Sequence, residues 1–314
     1  MDSNFHPLVS IVIPVYNGSN YLSEAIESAL AQTYDNIELL VINDGSNDDG
    51  ATEKIALSYG DRIHYFRKEN GGVSSALNLG IREMRGDYFS WLSHDDRYLP
   101  RKVETQIAWL SRSERKDVVL YGNIFLIDAS GRRIGRTKHR DIPSDRFRAH
   151  LLMDHVANGC SMLIPKTLFP PGGPFREDLR ITQDIDLWFR LSARHDFVLV
   201  EEPLVEYRIF PGQGSVRLTR YGYEKDLLYR RMLDEVAEEE KGSDERSRPQ
   251  FFFLFAVRLL AMGHYKPSMH AFAIARRASH SLPLAARLRT CHLRLLYRKR
   301  VRDHFRRGKT PWAA

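Results

Sequence analysis

The chain has 314 residues, is 43% hydrophobic and 28% charged, and carries a formal net charge of +7. That length accommodates one large domain or two, and no apolar run approaches the roughly 20 residues of a membrane-spanning helix. The polar start from Met1 to Pro7 does not read as a secretory signal, and Cys160 and Cys291 make no metal-ligand spacing, so the expected compartment is the cytoplasm with free thiols. The charge is uneven. From Val216 onward there are 22 Lys/Arg against 10 Asp/Glu, whereas the first 215 residues hold 25 against 30. An acidic front and a basic back point to two modules with different partners.

The front alternates. Val9–Val15 is a continuous β-branched run that ends at Tyr16-Asn17-Gly18. Such a run suits a parallel strand covered on both faces. Tyr21 to Gln32 has helical spacing, Ile37 to Ile42 is the next buried strand, and it ends in Asn43-Asp44-Gly45-Ser46. A helix over Asp49–Ser58, a short strand at Ile63–Phe66, a helix over Val73–Met84 and a strand from Tyr88 to Leu92 follow. This β-α alternation predicts an α/β fold with a doubly wound, mostly parallel sheet, whose ligands sit beyond the carboxyl ends of the strands. Asp44 and the pair Asp95–Asp96 both fall at such ends.

Beyond a helix at Pro100–Leu110 the alternation loosens. Val118–Asp128 and Ile134–Thr137 flank Asp128-Ala129-Ser130-Gly131 as a hairpin. A helix at Ser144–Met153, a strand at Cys160–Ile164, an irregular loop at Pro170–Pro174, a helix at Thr182–Ala193 and a strand at Phe197–Val200 are expected next, and Pro211–Ser215 closes the α/β portion. The remainder reads as helices over Tyr221–Glu240, Phe251–Met262, Pro267–His280 and Leu284–Arg306, with a polar break at Lys241–Pro249.

Several clusters bear on chemistry. Asp95–Asp96 is either a solvated turn or a site for a hard cation that takes oxygen ligands. Asp44 is either an Asx-turn residue or a carboxylate that bonds a base or sugar. Asn70-Gly71-Gly72-Val73 opens a helix with backbone N–H groups available to a diphosphate, but neither a Walker loop nor a G-x-G-x-x-G after the first strand is present, which argues against P-loop and dinucleotide-binding enzymes. Asp184 and Asp186 occupy one first helical turn and point about 200° apart on helical geometry, so one lines a cleft and the other caps or faces solvent. Arg208 is either a surface charge or a phosphate ligand.

In order and spacing, Val9–Gly18, Val41–Asp49, Asn70–Ile81, Leu92–Pro100, Gln183–Leu191 and Tyr207–Ser215 resemble the motifs of inverting family-2 glycosyltransferases of the GT-A fold. The likeness spans Pro7 to Ser215, so a catalytic domain over 1–215 and a basic helical region over 216–314 are expected. It implies donor contacts from Pro14, Tyr16, Asn17, Asp44, Asp95 and Arg208, with Asp96 and Asp95 holding Mg²⁺ or Mn²⁺. It implies Asp184 as the general base, and a pocket that includes Asn158, Gly159 and Trp188. The donor would be a UDP-, GDP- or dTDP-sugar, and the acceptor a surface glycan or its lipid-linked precursor. The basic tail suits an anionic membrane face, and no nucleic-acid module is visible. Two positions depart from the pattern. Ser93 stands where a third carboxylate is common, and Leu77 where an arginine is common. Processive members carry membrane helices and a Gln-x-x-Arg-Trp motif; this chain shows neither, which implies transfer of a single sugar. Loss of the third carboxylate also leaves open a silent nucleotide-sugar-binding scaffold.

Overall fold

The computed structural model describes residues 5–154, 157–211, 213, 222–239, 248–280 and 297. They divide into two compact units, Met1–Phe147 with Val156–Gln213, and Arg148–His155 with Gly214–Ala314. The short piece 148–155 thus groups with the second unit, although a linear division at 215 places it in the first. The expected helix over Leu284–Arg306 lies outside the described residues apart from Tyr297.

The first unit holds two sheets. In one, β3 (His64–Arg67), β2 (Ile37–Asn43), β1 (Val9–Val15) and β4 (Tyr88–Trp91) run parallel, and the two-residue β8 (Ile164–Pro165) adds antiparallel at the edge. All seven residues of β1 are buried, because helices cover both faces and its register pairs it with β2 along its length and with β4 over Val9–Val12. Burying each Val or Ile of such a strand contributes about 1.5–3 kcal/mol relative to leaving it exposed. Helices α1 (Leu22–Leu30), α2 (Ala51–Leu57) and α3 (Val73–Glu83) are the crossovers. The chain winds β1 to β2 to β3 on one side and then returns to place β4 on the other side of β1. Strand order therefore reverses between β1 and β4, and the crevice at their carboxyl ends is where ligands of such sheets bind.

The second sheet has the order β5-β9-β6-β7, built from β5 (Arg97–Tyr98), β9 (Phe197–Arg208), β6 (Val119–Ile127) and β7 (Arg133–Arg136). β9 runs eight residues beyond the Val200 expected from sequence, parallel to β6 across a bulge between Gly122 and Ile124. Helices α4 (Lys102–Arg112), α5 (Ser144–Asp154) and α6 (Gln183–Leu191) complete the elements that begin in this unit. The strand expected at Cys160–Ile164 is instead a 3₁₀ turn, Gly159–Ser161, followed by β8. Asn158 drives this: its side chain accepts from Cys160 N at 2.9 Å and its carbonyl from Ser161 N at 3.0 Å, which closes the turn.

At the opposite end of the parallel sheet, Glu38 ties three strands together. It accepts from Ser10 Oγ, from the backbone N–H of Arg85 and Gly86, and from Arg85 Nε. Gly86 is required there, since a Cβ would stand 2.5 Å from Ser10 Oγ and 2.7 Å from Leu8 O.

In the second unit, α7 (Gly222–Glu239), α8 (Arg248–Ala261) and α9 (Tyr265–His280) bury Tyr229, Met232, Phe252, Phe253, Leu259 and Ile274. Arg148 donates to Glu235 at 2.7 Å and pairs with Glu239. Tyr297 stacks on Phe272 with centroids 4.4 Å apart. Among the described residues no helix is long and apolar enough to cross a membrane.

Burial pushes the Glu38 carboxyl up, but the bonds from Ser10, Arg85 and Gly86 outweigh it and leave its pKa below the ordinary value. A lowered carboxylate contributes stability that is present above the unfolded-state pKa and lost as pH falls through the folded one. Glu38→Gln should therefore cost about 2 kcal/mol at pH 7. The gap to wild type, read from urea unfolding, should narrow toward pH 3.

Candidate active site

The crevice is built from the residues that leave β1, β2 and β4. After β1, Asn17 adopts φ 50°, a left-handed conformation that asparagine tolerates. Its side chain exchanges bonds with Asn47, accepting from Asn47 N at 2.8 Å and donating to Asn47 Oδ1 at 2.7 Å. Its backbone N–H donates to Ser46 Oγ at 2.9 Å, and Tyr16 is 44% exposed beside it. The loops after β1 and β2 are thus fastened to each other, with an aromatic face open to solvent.

Asp44 is buried and heavily bonded. Oδ1 accepts from Lys68 Nζ at 2.8 Å and Gly71 N at 3.0 Å, and Oδ2 from Gly72 N at 2.7 Å. Three of its roughly four lone-pair sites are taken, leaving one at Oδ2. Sequence reasoning saw neither Lys68 nor the capture of the glycine turn by Asp44. Gly45 at φ 70° lets Asn70 N approach to 2.6 Å of where its Cβ would be.

Asp95 and Asp96 are adjacent in sequence and opposite in environment. Asp96 is 1% exposed; its Oδ1 accepts from Arg208 N at 2.9 Å, and its Oδ2 from the Cys160 thiol at 3.2 Å. Burial, and then the charge of Asp95, hold its carboxyl well above the usual carboxylate range. Asp95 is 7% exposed, and no hydrogen bond or ion pair from a described residue reaches its carboxylate. Both oxygens of Asp96 are thus engaged, whereas those of Asp95 meet no donor among the described residues.

The Arg208 side chain is 1% exposed and bonds Asp95 O at 2.8 Å, Glu24 Oε2 at 2.6 Å and Ala129 O at 3.1 Å, with its guanidinium 4.1 Å from the Tyr21 ring centroid. It ties the loop after β4 to α1 and to the hairpin turn.

Trp91 is the junction of the remaining pocket residues. A Cβ on Gly159 would lie 2.5 Å from its ring, so only glycine fits there. Phe175 contacts Trp91 at 5.9 Å on one side and Trp188 at 6.0 Å on the other. The indole Nε1 atoms of Trp91 and Trp188 and Oε1 of Gln183 are buried with no hydrogen-bond partner. On α6, Asp186 is fully buried and accepts from Arg190 Nε at 2.8 Å, while Asp184 is half-buried and accepts from Ile185 N at 2.7 Å. The two carboxylates of that turn do face different surroundings. Ser74 Oγ donates to Leu179 O at 3.4 Å and Arg180 Nη1 to Gly71 O at 3.3 Å, which moors the approach to α6 against the start of α3.

A profile of glycosyl transferase family 2 matches residues 10–168. An uncharacterized glycosyltransferase of Rickettsia felis is 48% identical over 278 residues, covering 87% of this chain and 46% of that protein. One from Rickettsia typhi is 42% identical over 279 residues, covering 87% and 86%. The chain belongs to glycosyl transferase family 2. It spans less than half the length of the Rickettsia felis relative. Among solved structures, Staphylococcus aureus TarS with UDP-GlcNAc superposes at TM-score 0.63 with 15% identity, over 96% of this chain and 92% of that one. A Pyrobaculum calidifontis mannosyltransferase with GDP-Man and Mn²⁺ does so at 0.50 with 17% identity, over 99% and 85%. At these identities the likeness establishes the GT-A fold, in agreement with the two sheets described above.

Members of the family with this fold imply a divalent ion. Among the described residues no group of three or more His, Cys, Asp or Glu is placed to hold one unaided. A magnesium-type site needs only one or two carboxylates when substrate phosphates supply the rest, and Asp95 meets that requirement. Ser93, in the place of a third carboxylate, turns its hydroxyl to Cys160 Sγ at 3.3 Å, where its backbone N–H also donates.

Behind the loop, Lys102 of α4 is fully buried with no carboxylate beside it. Its Nζ bonds Ser90 Oγ and Met162 O and lies 4.4 Å from the Tyr98 ring centroid. Burial lowers its pKa to about 7 against a small opposing effect of Cys160. A lysine whose folded pKa is depressed is protonated in the unfolded chain up to pH ~10.4. It therefore makes stability rise from about pH 7 toward that value. Lys102→Met should remove this contribution, so the difference in unfolding free energy, variant minus wild type, should be largest at pH 7 and shrink by pH 9.5. Arg208→Met should lower stability by about 2–3 kcal/mol, since the carbonyls of Asp95 and Ala129 lose their donor and Glu24 loses one of its two cations, as checked by calorimetry.

Proposed function

We propose that this family 2 protein transfers a single sugar from a nucleoside-diphosphate sugar to an acceptor hydroxyl with inversion. The observation that carries the reading is Asp95, a buried carboxylate without a partner among the described residues, at the point where strand order reverses. The remaining acceptor position on Asp44 Oδ2 suits an N–H of the base, and Tyr16 offers an exposed ring beside the backbone of Pro14 and Asn17 for it to lie against. TarS binds UDP-GlcNAc and the Pyrobaculum enzyme binds GDP-Man with Mn²⁺, and by analogy the donor here is a UDP-, GDP- or dTDP-sugar.

Asp95 would hold Mg²⁺ or Mn²⁺, with Asp96 fixing the loop through Arg208 N. The ion, when bound, supplies positive charge that offsets the leaving diphosphate. In one in-line displacement the acceptor oxygen bonds to the anomeric carbon as the bond to the diphosphate breaks. Asp184 takes the hydroxyl proton, and base assistance of this kind contributes about 10²–10⁴-fold. The charge on the sugar ring is oxocarbenium-like, as in glycoside hydrolysis. Gly159 and Trp188 shape the pocket through Trp91 and Phe175, and Asn158 sets the turn that presents Gly159. The catalytic part is 1–215, and the acceptor is a surface polysaccharide, lipopolysaccharide or glycolipid precursor. The basic region 216–314 would draw the enzyme to an anionic membrane face.

Thermal stabilisation by a panel of nucleotide sugars, with and without Mn²⁺, tests the reading; a panel without any ion-dependent shift sinks it. Asp95→Asn should abolish the ion-dependent part of the shift, whereas Asp96→Asn should lower stability without donor. Asp184→Asn should leave donor stabilisation intact and reduce turnover by about 10²-fold or more, and near-normal turnover would remove Asp184 from the role of base.

A further inference from the structure

The strand β7 forms the open edge of the second sheet, and all four of its residues are exposed. From Arg132 to Arg140 the chain carries five cationic side chains, Arg132, Arg133, Arg136, Lys138 and Arg140, and no acid; Asp141 follows. Arg132 pairs with Asp128 at 3.1 Å. Arg133 pairs with Glu206 at 2.8 Å and lies 3.9 Å from the Phe125 ring centroid. The other three, all exposed, have no ion pair or hydrogen bond to a described residue. Glu201 and Glu202 of β9, across β6, are exposed and pair with none of them.

The segment is held extended past the end of β7. Thr137 N–H donates to Ile124 O at 2.9 Å, and His139 N–H to Asn123 Oδ1 at 2.7 Å. Thr137 and His139 are half-buried against β6, while Arg136, Lys138 and Arg140 alternate with them on the outside. Alternate residues of an extended chain stand about 7 Å apart, so the three cations form a line. The chain that carries this line leaves the hairpin turn, where Ala129 O and Gly131 O bond Arg208 and Arg97 beside the Asp95–Asp96 loop, and the line itself starts at the far end of β7. It leads away from the candidate active site.

We propose that this edge binds the acceptor, and that the acceptor is an anionic polymer, a glycan with a negative charge recurring along its chain; the inference rests on the transferase reading above. Charged side chains on an edge strand also prevent edge-to-edge pairing, but a line of three unpaired cations matches a linear polyanion. The strand exposes a single large apolar residue, Ile134 at 53%, too little to anchor it in a membrane.

The test compares the wild-type chain with R136Q/K138Q/R140Q and, as a control for the basic C-terminal region, R298Q/K299Q/R300Q. Probes are inorganic polyphosphate, polygalacturonate, neutral dextran and phosphatidylglycerol vesicles. Exposed charges interact weakly one by one, and three lost together should weaken polyanion binding on the order of tenfold, with no dextran binding in any variant. Loss for polyphosphate alone marks phosphate charge as what the edge selects; loss for both polymers marks charge of either kind. Unchanged polyanion affinity in R136Q/K138Q/R140Q overturns the proposal, as does a loss confined to the C-terminal variant or to the vesicles. Nucleotide-sugar thermal shifts should be unchanged in R136Q/K138Q/R140Q; their absence in the wild type would reject the transferase reading instead.

Discussion

The hydrogen bond from Arg208 N to Asp96 Oδ1 joins the end of β9 to the loop after β4, and so links the antiparallel-edged sheet to the parallel one. Its partners reinforce it. The Arg208 guanidinium reaches Asp95 O, Glu24 and the hairpin carbonyl of Ala129, and Cys160 closes the second oxygen of Asp96. A carboxylate buried this deeply is tolerated only when its lone pairs are met. Because Asp96 is held from two sides, the backbone of Asp95 has little freedom, and its carboxylate meets no donor among the described residues.

Much of the parallel half was legible in the sequence. Strands buried on both faces are mostly apolar runs, and β1 and β2 are so apart from Ser10, Glu38 and Asn43; their crossover helices repeat at 3.6 residues, and the hairpin turn at Asp128–Gly131 carries its own signal. The turn at Gly159–Ser161 was not legible, because Cys160-Ser161-Met162-Leu163-Ile164 has the apolar content of a strand, and the bond that curls it comes from Asn158, just upstream. Nor could spacing alone divide Asp95 from Asp96: consecutive residues leave a strand in opposite directions, and only the arrival of β9 from more than a hundred residues away decides which one is covered. Arg208 is a second case: an arginine before a glycine-containing loop reads as available in the sequence, and only the fold brings Glu24 and the carbonyls of Asp95 and Ala129 to it. Lys102 gave no sign at all, since a lysine in the first turn of a helix is ordinarily solvated.

Family membership and physical reading meet at the departures from the common pattern. Ser93 does not leave a void where a carboxylate is often found; its hydroxyl and N–H address Cys160, and Cys160 in turn serves Asp96. The substitution is thus absorbed into the packing behind the loop. Leu77, fully buried on α3, belongs to the core.

The contact between Gly159 and Trp91 sets a limit on how such a protein can diversify. No side chain larger than hydrogen fits over that indole, and on its other side Trp91 is wedged by Phe175, itself backed by Trp188. A base of this rigidity cannot be recut by single substitutions without unseating β4. Changes in substrate choice must therefore be made away from this base, in side chains whose replacement leaves β4 seated.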